Sequence, residues 1–600
     1  MRSARLWSLA AAVLAVGASS PAPTKTKRWD QGFVTIENGQ FIRNGEPFTF
    51  VGTNAYWLPS LNSEVDINKT IHNIAAAGIK VIRTWAFNGG HLSPFCSLAF
   101  LIWSLCPICA RTSADVDTIP TNGTWFQLIQ NGTTLINNGT NGLQKLDKVV
   151  QLAEEAGVLL ILSLTNNWNP LPLIDNTTIV PVDGSSLARR DVTLGTNNTL
   201  PRNTLSNDFG GMDAYVRGFS QNKQHDEFYL NNTIVDIFKN YTTEIVSRYV
   251  NSPAVLSWEL ANDPRCNSSI AASPVCNTTT VTNWHATVAA HVASIDPNHL
   301  VSSGVHGFAC ADCSKSFPIA PKPSVSAAPG RRSKRSVKPF TNERLLAEVK
   351  EKRKKTREIK KREMLSKGDG LRIRGRWIAS RQADPSVSSS VGAAFDGSSG
   401  VDSQDILNIP TIGFGAFQLF PDQNNYAVPG ESDPNLPAFN NTVEEGVAWI
   451  QLQAQLAQQV GKPTVLTAFG LVSNDNAPFF VPFNTTIAPF NNTVPLNSTA
   501  SLRRRDSATT SFGVSNAEED DAYTQWVTAA ATSGISGALQ YQANGLTEND
   551  SSTVDQNNDE SSTVPNSPNT GSSPNDGYQS APTGSDGVAS VLTSLTSLFS

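Results

Sequence analysis

Short apolar runs rich in β-branched residues recur along the chain at 48–52, 79–87, 158–164, 255–260, 300–305, 411–420, 463–470 and 534–542. Their length and composition predict strands. Amphipathic stretches with helical spacing lie between most of them, at 67–77, 143–156, 233–249, 283–295 and 443–460. Strand and helix therefore alternate as repeated βα units, which predicts an α/β fold. Eight such units predict a (β/α)8 TIM barrel, with functional residues at the C-terminal ends of the strands.

Two stretches break the rhythm. The first, 89–114 (GGHLSPFCSLAFLIWSLCPICARTSA), is apolar, rich in cysteine and too short to predict a membrane span. The second, 323–385, holds KEKRKKTREIKKRE at 350–363, which reads as a charged exposed helix. The 600 residues carry a net charge of −5, yet 331–376 alone holds 19 basic and 6 acidic residues, a local +13 against −18 for the rest. A membrane dip and a polyanion-binding helix are the functional readings of the two stretches. The plainer reading makes both extraneous to an otherwise regular barrel, as translated introns would be. Beyond 546 the chain is so rich in Ser, Thr, Asn, Asp, Pro and Gly that 546–600 is expected to be a disordered, O-glycosylated tail. Its mildly apolar 588–599 is a poor lipid-anchor signal.

Residues 1–20 carry Arg2 and Arg5, an apolar stretch and then small residues, the layout of a secretory signal peptide. Asn-X-Ser/Thr sequons are dense, among them Asn68, Asn122, Asn131, Asn138, Asn176, Asn240, Asn267, Asn277, Asn484 and Asn497. Together these predict a secreted, extracellular glycoprotein. Of seven cysteines, Cys266, Cys276, Cys310 and Cys313 suit two disulfides of undetermined pairing in an oxidising compartment. Cys96, Cys106 and Cys109 fall in the first odd stretch, and no thioredoxin-like pattern surrounds the Cys-Pro-Ile-Cys at 106–109.

Six segments resemble glycoside hydrolase family 5, most closely its fungal endo-β-1,4-mannanase branch. They are GFVTIENGQFIRNGEPFTFVGTNAYWL (32–58), VIRTWAFN (81–88), LILSLTNNWNP (160–170), GGMDAYV (210–216), SRYVNSPAVLSWELANDPRC (247–266) and WHATVAAHVASIDPNHLVSSG (284–304). They follow in the family's order, each at a predicted strand or helix. The resemblance covers most of 29–545, apart from the two odd stretches.

That resemblance implies two glutamates, an acid/base after the fourth strand and a nucleophile at the end of the seventh. A retaining mechanism sets their carboxyl groups about 5 to 5.5 Å apart. This chain departs from the pattern at both. The fourth-strand motif reads Ala261-Asn262-Asp263-Pro264, so the acid/base position is Asp263, its carboxyl drawn back by about 1.5 Å. The seventh reads Thr467-Ala468-Phe469-Gly470, so the nucleophile position is Ala468, and a methyl group cannot form a glycosyl-enzyme. The family's His-X-Tyr after the sixth strand stands as Gln418-Leu419-Phe420, and its eighth-strand tryptophan as Tyr541.

Arg83 and Asn262 match the family's nucleophile-orienting arginine and its 2-hydroxyl ligand. Arg83 either lines the cleft or is a buried barrel arginine paired to a carboxylate, Asp263 being one candidate. Trp57 and Trp168 are read as sugar platforms or core fillers, while Trp258, inside an apolar strand, is the weaker platform. Asn166 and Asn167 are read as hydroxyl ligands or loop caps.

The resemblance implies a protein of mannan endo-1,4-β-mannosidase type that binds β-mannan or a related wall polysaccharide, with catalysis impaired or lost. The alternative is an active endo-β-1,4-mannanase working by a modified mechanism. The expected partner is polysaccharide, through Arg83, Asn262, Trp57, Trp168, Asn167, Gln418 and Tyr541. No metal, cofactor, nucleic acid or membrane span is expected, and the chain is expected to be a monomer.

Overall fold

A computed structural model describes residues 32–61, 64–91, 124–130, 132–170, 205–319, 339–367, 371–373, 376–378, 390–433, 436–484, 513–543, 576–578 and 588–599. All eight predicted strands are present: β1 Phe50–Asn54, β2 Val81–Trp85, β3 Leu159–Ser163, β4 Val255–Glu259, β5 Leu300–Ser302, β6 Gly415–Leu419, β7 Thr464–Phe469 and β8 Gly537–Gln540. They pair in parallel in the order β5-β4-β3-β2-β1-β8-β7-β6. A parallel bridge from Ser302 to Phe414 closes the ring. The fold is a (β/α)8 barrel. Every strand residue except Leu300 is buried, because side chains fill the inside of the ring and helices cover the outside. That double burial is why the strands read as continuous apolar runs.

The covering helices are α1 Glu64–Ala76, α2 Leu143–Ala156, α3 Asn232–Tyr249, α4 Thr278–Ile295, α5 Ser403–Leu407, α6 Ala438–Val460, α7 Asn516–Ser533 and α8 Val588–Leu595. Local sequence sets several of their ends. Asn231 and Asn277 cap α3 and α4 by accepting from backbone N–H groups, and Ser515 with Glu518 forms a capping box on α7. Gly157, Gly461 and Gly534 stop α2, α6 and α7 in the left-handed region, with φ of 71°, 84° and 84°.

The N-terminal end of the barrel is stoppered by an antiparallel ribbon of Thr35–Glu37, Gln40–Arg43 and Glu46–Pro47. Its Phe41 meets Phe414 edge-on at 5.1 Å, and with Phe48, Phe50 and Leu159 it forms an apolar cluster separate from the main core. The other end of the barrel carries the loops that follow the strands.

Two segments that the sequence sets apart are packed onto this barrel. Of the 546–600 stretch, expected to be a tail, residues 576–578 and 588–599 are described. Helix α8 and the turn after it bury Leu592, Leu595 and Phe599 in the main core, with Val591 against it. Their spacing keeps one apolar helix face despite the intervening Ser and Thr. Thr49 at the barrel's N-terminal end donates to the Phe599 carbonyl. Asp576 and Tyr578 are buried at the opposite end.

The basic block is the predicted helix, Asn342–Lys367, and it does not stand apart from the barrel. Val349 is buried, with Leu345 and Leu346 packed against the core. Arg344 donates to Gln455 on α6 at 2.8 Å, and Lys352 pairs with Glu444 at 3.2 Å.

Of the 89–114 stretch, only Gly89–His91 is described, as a short strand beside Gln127–Gln130. Its cysteines lie outside the described residues, as does 1–20. The other four cysteines pair as Cys266–Cys276 and Cys310–Cys313. Among the described residues no helix is long and apolar enough to cross a membrane.

Candidate active site

At the C-terminal ends of the strands, Arg83 on β2 is the hub of a buried polar cluster. Its Nε donates to both carboxylate oxygens of Glu259, at 3.1 and 3.0 Å, and its Nη2 reaches Oε1 at 2.5 Å. Nη1 donates to Asn54 at the end of β1, at 3.0 Å, and Nη2 to Asn262 Oδ1 at 2.8 Å. The Ser163 hydroxyl, at the end of β3, also donates to Glu259. Both members of the ion pair are essentially without solvent exposure. Asp263 as counter-charge is thereby corrected: the neighbour that Arg83 requires is Glu259, the last residue of β4. The sequence signal was there, a single acid within the apolar run 255–260.

Asp263 is committed elsewhere. It adopts φ +53°, a left-handed conformation that Asp tolerates better than most residues. Its carboxylate accepts from Arg265 Nε at 2.8 Å and from Trp168 Nε1 at 2.9 Å. Arg265 Nη2 lies 2.8 Å from its second oxygen, and His306 Nδ1 3.5 Å from its first. Burial alone would push this carboxyl up, but the Arg265 guanidinium and the His306 ring outweigh it and hold Asp263 below the ordinary carboxylate range. A group held so firmly as an anion has no proton to give a leaving group near neutral pH. Behind it His306 lies 2.6 Å from the Tyr426 hydroxyl and stacks between Tyr426 and Phe308. Burial lowers the His306 pKa.

Ala468 on β7 is in register with Gln418 on β6. Gln418 Nε2 donates to Asn262 Oδ1 at 3.0 Å, and Asn262 Nδ2 donates to Asn166 Oδ1 at 2.8 Å. Arg83, Asn262 and Gln418 thus form one hydrogen-bonded patch bordering Ala468, with Asp263 the next residue beyond Asn262. Asn262 is partly open to solvent, while its neighbours in the patch are buried.

The aromatic residues are placed less openly than the sequence suggests. Trp57 is wholly buried and donates its indole N–H to Gln542 at 3.1 Å. Trp168 is 6% exposed, because Phe483 lies against its ring at 5.0 Å. Phe483 is held there by its own backbone, whose N–H donates to Gln423 and whose carbonyl accepts from Asn207. Trp258 is core, donating to Asp296. Asn167 is a loop brace: its Oδ1 accepts the Arg265 N–H at 3.0 Å and its Nδ2 donates to the Asn267 carbonyl at 2.9 Å. Tyr541, just past β8, donates to Asp576 at 2.7 Å and stacks on Tyr56. Burial pushes the Asp576 carboxyl up to about 6, and Gln542 also donates to it. Tyr578 packs edge-on against Phe420 and Tyr541. Glu259, His306, Tyr426, Phe483 and Asp576 are the site neighbours that the sequence reading did not single out. Among the described residues no three His, Cys, Asp or Glu side chains are grouped as metal ligands would be.

A family model described as "GH family 5 beta-mannosidase-like" matches residues 144–322. The chain is 33% identical over 296 residues to mannan endo-1,4-beta-mannosidase F of Aspergillus fumigatus, an alignment covering 49% of this chain and 50% of that one. It is 32% identical over 301 residues to mannan endo-1,4-beta-mannosidase A of Aspergillus aculeatus, covering 50% and 61%. The chain thus spans about half the length of the curated relatives it matches. Among solved structures, the endo-1,4-beta-mannanase of Rhizomucor miehei aligns over 85% of this chain and 90% of that one, with a TM-score of 0.48 and 21% identity. The barrel assignment stands on the strand order and its closure.

Proposed function

We propose that the chain is a secreted member of glycoside hydrolase family 5, of the mannan endo-1,4-β-mannosidase type. It binds β-mannan or a related plant or fungal wall polysaccharide at the strand ends, with retaining hydrolysis impaired or lost. The observation that carries this reading is the state of the two positions where catalytic glutamates are expected. Ala468 offers a methyl group in place of a nucleophile, and Asp263 is clamped as an anion by Arg265 and Trp168. A retaining glycosidase needs a carboxylate to attack carbon and a carboxylic acid to protonate the departing oxygen. Neither role is filled at these positions, whereas binding needs only shape, hydroxyl partners and aromatic faces. The half-open Asn262, braced by Arg83, Gln418 and Asn166, is the hydroxyl partner that supports the binding half.

The test is to measure hydrolysis of mannan, glucomannan and an aryl mannoside beside equilibrium binding of the same glycans, on the purified full chain. The expected result is saturable binding with turnover at least about 10⁴-fold below a glutamate-bearing relative. Turnover at ordinary enzyme rates, about 1 to 10³ per second, would overturn it.

Hydrolysis by a modified route is the second reading, and one observation favours it. Asp576 lies on the strand-end face with its pKa raised to about 6 while Asp263 is held low, and such a divergent pair is how an acid and a base are set apart. Under that reading, Asp576→Asn abolishes whatever slow hydrolysis the wild type shows. Under the first, it leaves the rate at background.

A further inference from the structure

Trp168 lies beside the half-open Asn262. Its indole N–H bonds to Asp263, its carbonyl accepts from Asn166 at 2.6 Å, and Asn166 in turn accepts from Asn262. A flat ring at the edge of a hydroxyl-binding patch is where the next pyranose of a bound chain would stack. In this protein the place is taken. The Phe483 ring stands 5.0 Å from the Trp168 ring, tilted by 40°, and the Arg265 guanidinium lies against both, at 5.6 Å from Trp168 and 5.3 Å from Phe483. A pyranose needs about 3.5–4.0 Å of clearance from each ring it touches, so one held between these two would require them at least about 7 Å apart.

The short strap Val481–Phe483, in the loop after β7, is anchored to three other segments. The Phe483 N–H donates to Gln423, past β6, at 2.9 Å, and its carbonyl accepts from Asn207, between β3 and α3, at 2.8 Å. Two positions earlier the Val481 N–H donates to the Asp576 carbonyl at 3.0 Å, and the Val481 side chain packs with Leu205. Pro482 between them fixes its own φ and narrows the paths open to the strap. The Phe483 ring is half-buried. Moving it off Trp168 would break backbone hydrogen bonds at both of its polar groups, so it acts as a fixed wall rather than a swinging lid.

We propose that Phe483 is a specificity-determining residue of the cleft: it caps Trp168 and ends the glycan site there. A bound chain is held at Asn262 without the stacked unit that Trp168 would add. The proposal rests on the polysaccharide-binding reading of the strand ends. It assigns the loss of the Trp168 platform to one side chain, because the Trp168 ring and its hydrogen bond to Asp263 are otherwise in place. Removing the Phe483 side chain leaves the backbone anchors of the strap and frees one ring face for a sugar.

The experiment titrates methyl β-mannoside and mannohexaose into the full wild-type chain and into Phe483→Ala, with hydroxyl-radical labelling of residues 168 and 483 read by mass spectrometry. In the free variant Trp168 should be labelled faster than in wild type, with a cooperative melt retained. The variant should bind mannohexaose about tenfold more tightly than wild type does, through one newly buried ring face, with methyl β-mannoside affinity unchanged. Mannohexaose should then protect Trp168 from label in the variant. A variant that uncovers Trp168 yet binds mannohexaose no better than wild type overturns the proposal and leaves the cleft reading standing. So does a rise in Phe483 labelling when wild type takes up mannohexaose, a measurement that needs no variant, because the ring would then be moving aside. If neither protein binds either sugar, the cleft reading falls and the cap on Trp168 falls with it.

Discussion

Arg83 on β2 and Glu259 on β4 meet across the intervening strand β3 with three N···O separations of 3.1, 3.0 and 2.5 Å, both wholly inside the barrel. The arginine is therefore neutralised without help from position 468. This bears on how a barrel can keep the arginine after losing a nucleophilic carboxylate. A buried guanidinium left alone would cost several kcal/mol, and Glu259 prevents that.

Glu259→Gln should accordingly destabilise the domain by about 3–5 kcal/mol, since it leaves one buried charge uncompensated. Chemical denaturation of the variant measures this. Replacing both partners, as Arg83→Met/Glu259→Leu, should cost clearly less than the single change, because no lone charge remains. Equal losses for the two variants would show that the ion pair is not what holds this cluster.

Restoring the retaining pair is the second expectation. Ala468→Glu alone should leave hydrolysis of an aryl mannoside near wild type, because Gln418 and Phe420 stand in place of the family's His-X-Tyr. Combined with Asp263→Glu, which lengthens the side chain and loosens the Arg265 and Trp168 clamp, it should raise the initial rate by about tenfold or more, within the range of nucleophile and acid contributions. Thermal melts confirm folding. A folded double variant no faster than wild type would refute the assignment of these two positions.

A third expectation concerns Glu519 on α7, buried beside Tyr523, with its pKa raised to about 8 by burial and by Asp520, Asp422 and Asp475. The folded state holds this proton more tightly than the unfolded chain, so the associated stability is complete below about pH 4.5 and is lost as pH rises toward 8. The loss is on the order of 5 kcal/mol, at about 1.4 kcal/mol per pKa unit. Glu519→Gln keeps an acceptor for the Tyr523 hydroxyl and cannot ionise. Its melting temperature should fall less than that of wild type between pH 5 and pH 8, and parallel curves would contradict the assignment.

Fourth, a chain ending at residue 545 should not fold cooperatively. It would lack Tyr578, Leu592, Leu595 and Phe599, all buried and each contributing roughly 1.5–3 kcal/mol. Their sum rivals the whole stability of an ordinary domain. Circular dichroism with a denaturant titration decides it, and a sharp transition at wild-type midpoint would show that the stretch is dispensable.

The eight strands were legible because burial on both faces writes itself as apolar runs, and α2 was legible to its end residues because its apolar positions repeat with helical spacing. What stayed hidden depended on partners far away in sequence. Glu259 looks like an intruder in an apolar strand until Arg83, 176 positions earlier, is placed against it. The burial of Trp168 depends on Phe483, and the role of Asp576 on Tyr541, neither pair being close in sequence. Helix α8 escaped because its apolar face is thin and lies within a stretch whose average composition is that of a solvated tail. At the basic block, charge density drew the eye to the cations, while Leu345, Leu346 and Val349 dock the helix.

Closure of the ring has a cost in time. Strand β1 pairs with β8, and Thr49 bonds to Phe599, 550 positions later. At about 5–20 residues per second, ribosomal synthesis of the intervening chain takes roughly half a minute to two minutes. Throughout that interval the β1 edge has its first neighbour β2 but not its second, and the ring stays open along one seam. An unpaired parallel edge is a template for pairing with other chains. The nascent polypeptide therefore depends on whatever shields that seam in the folding compartment, and its yield should respond to the speed of translation more than a protein built from local contacts would.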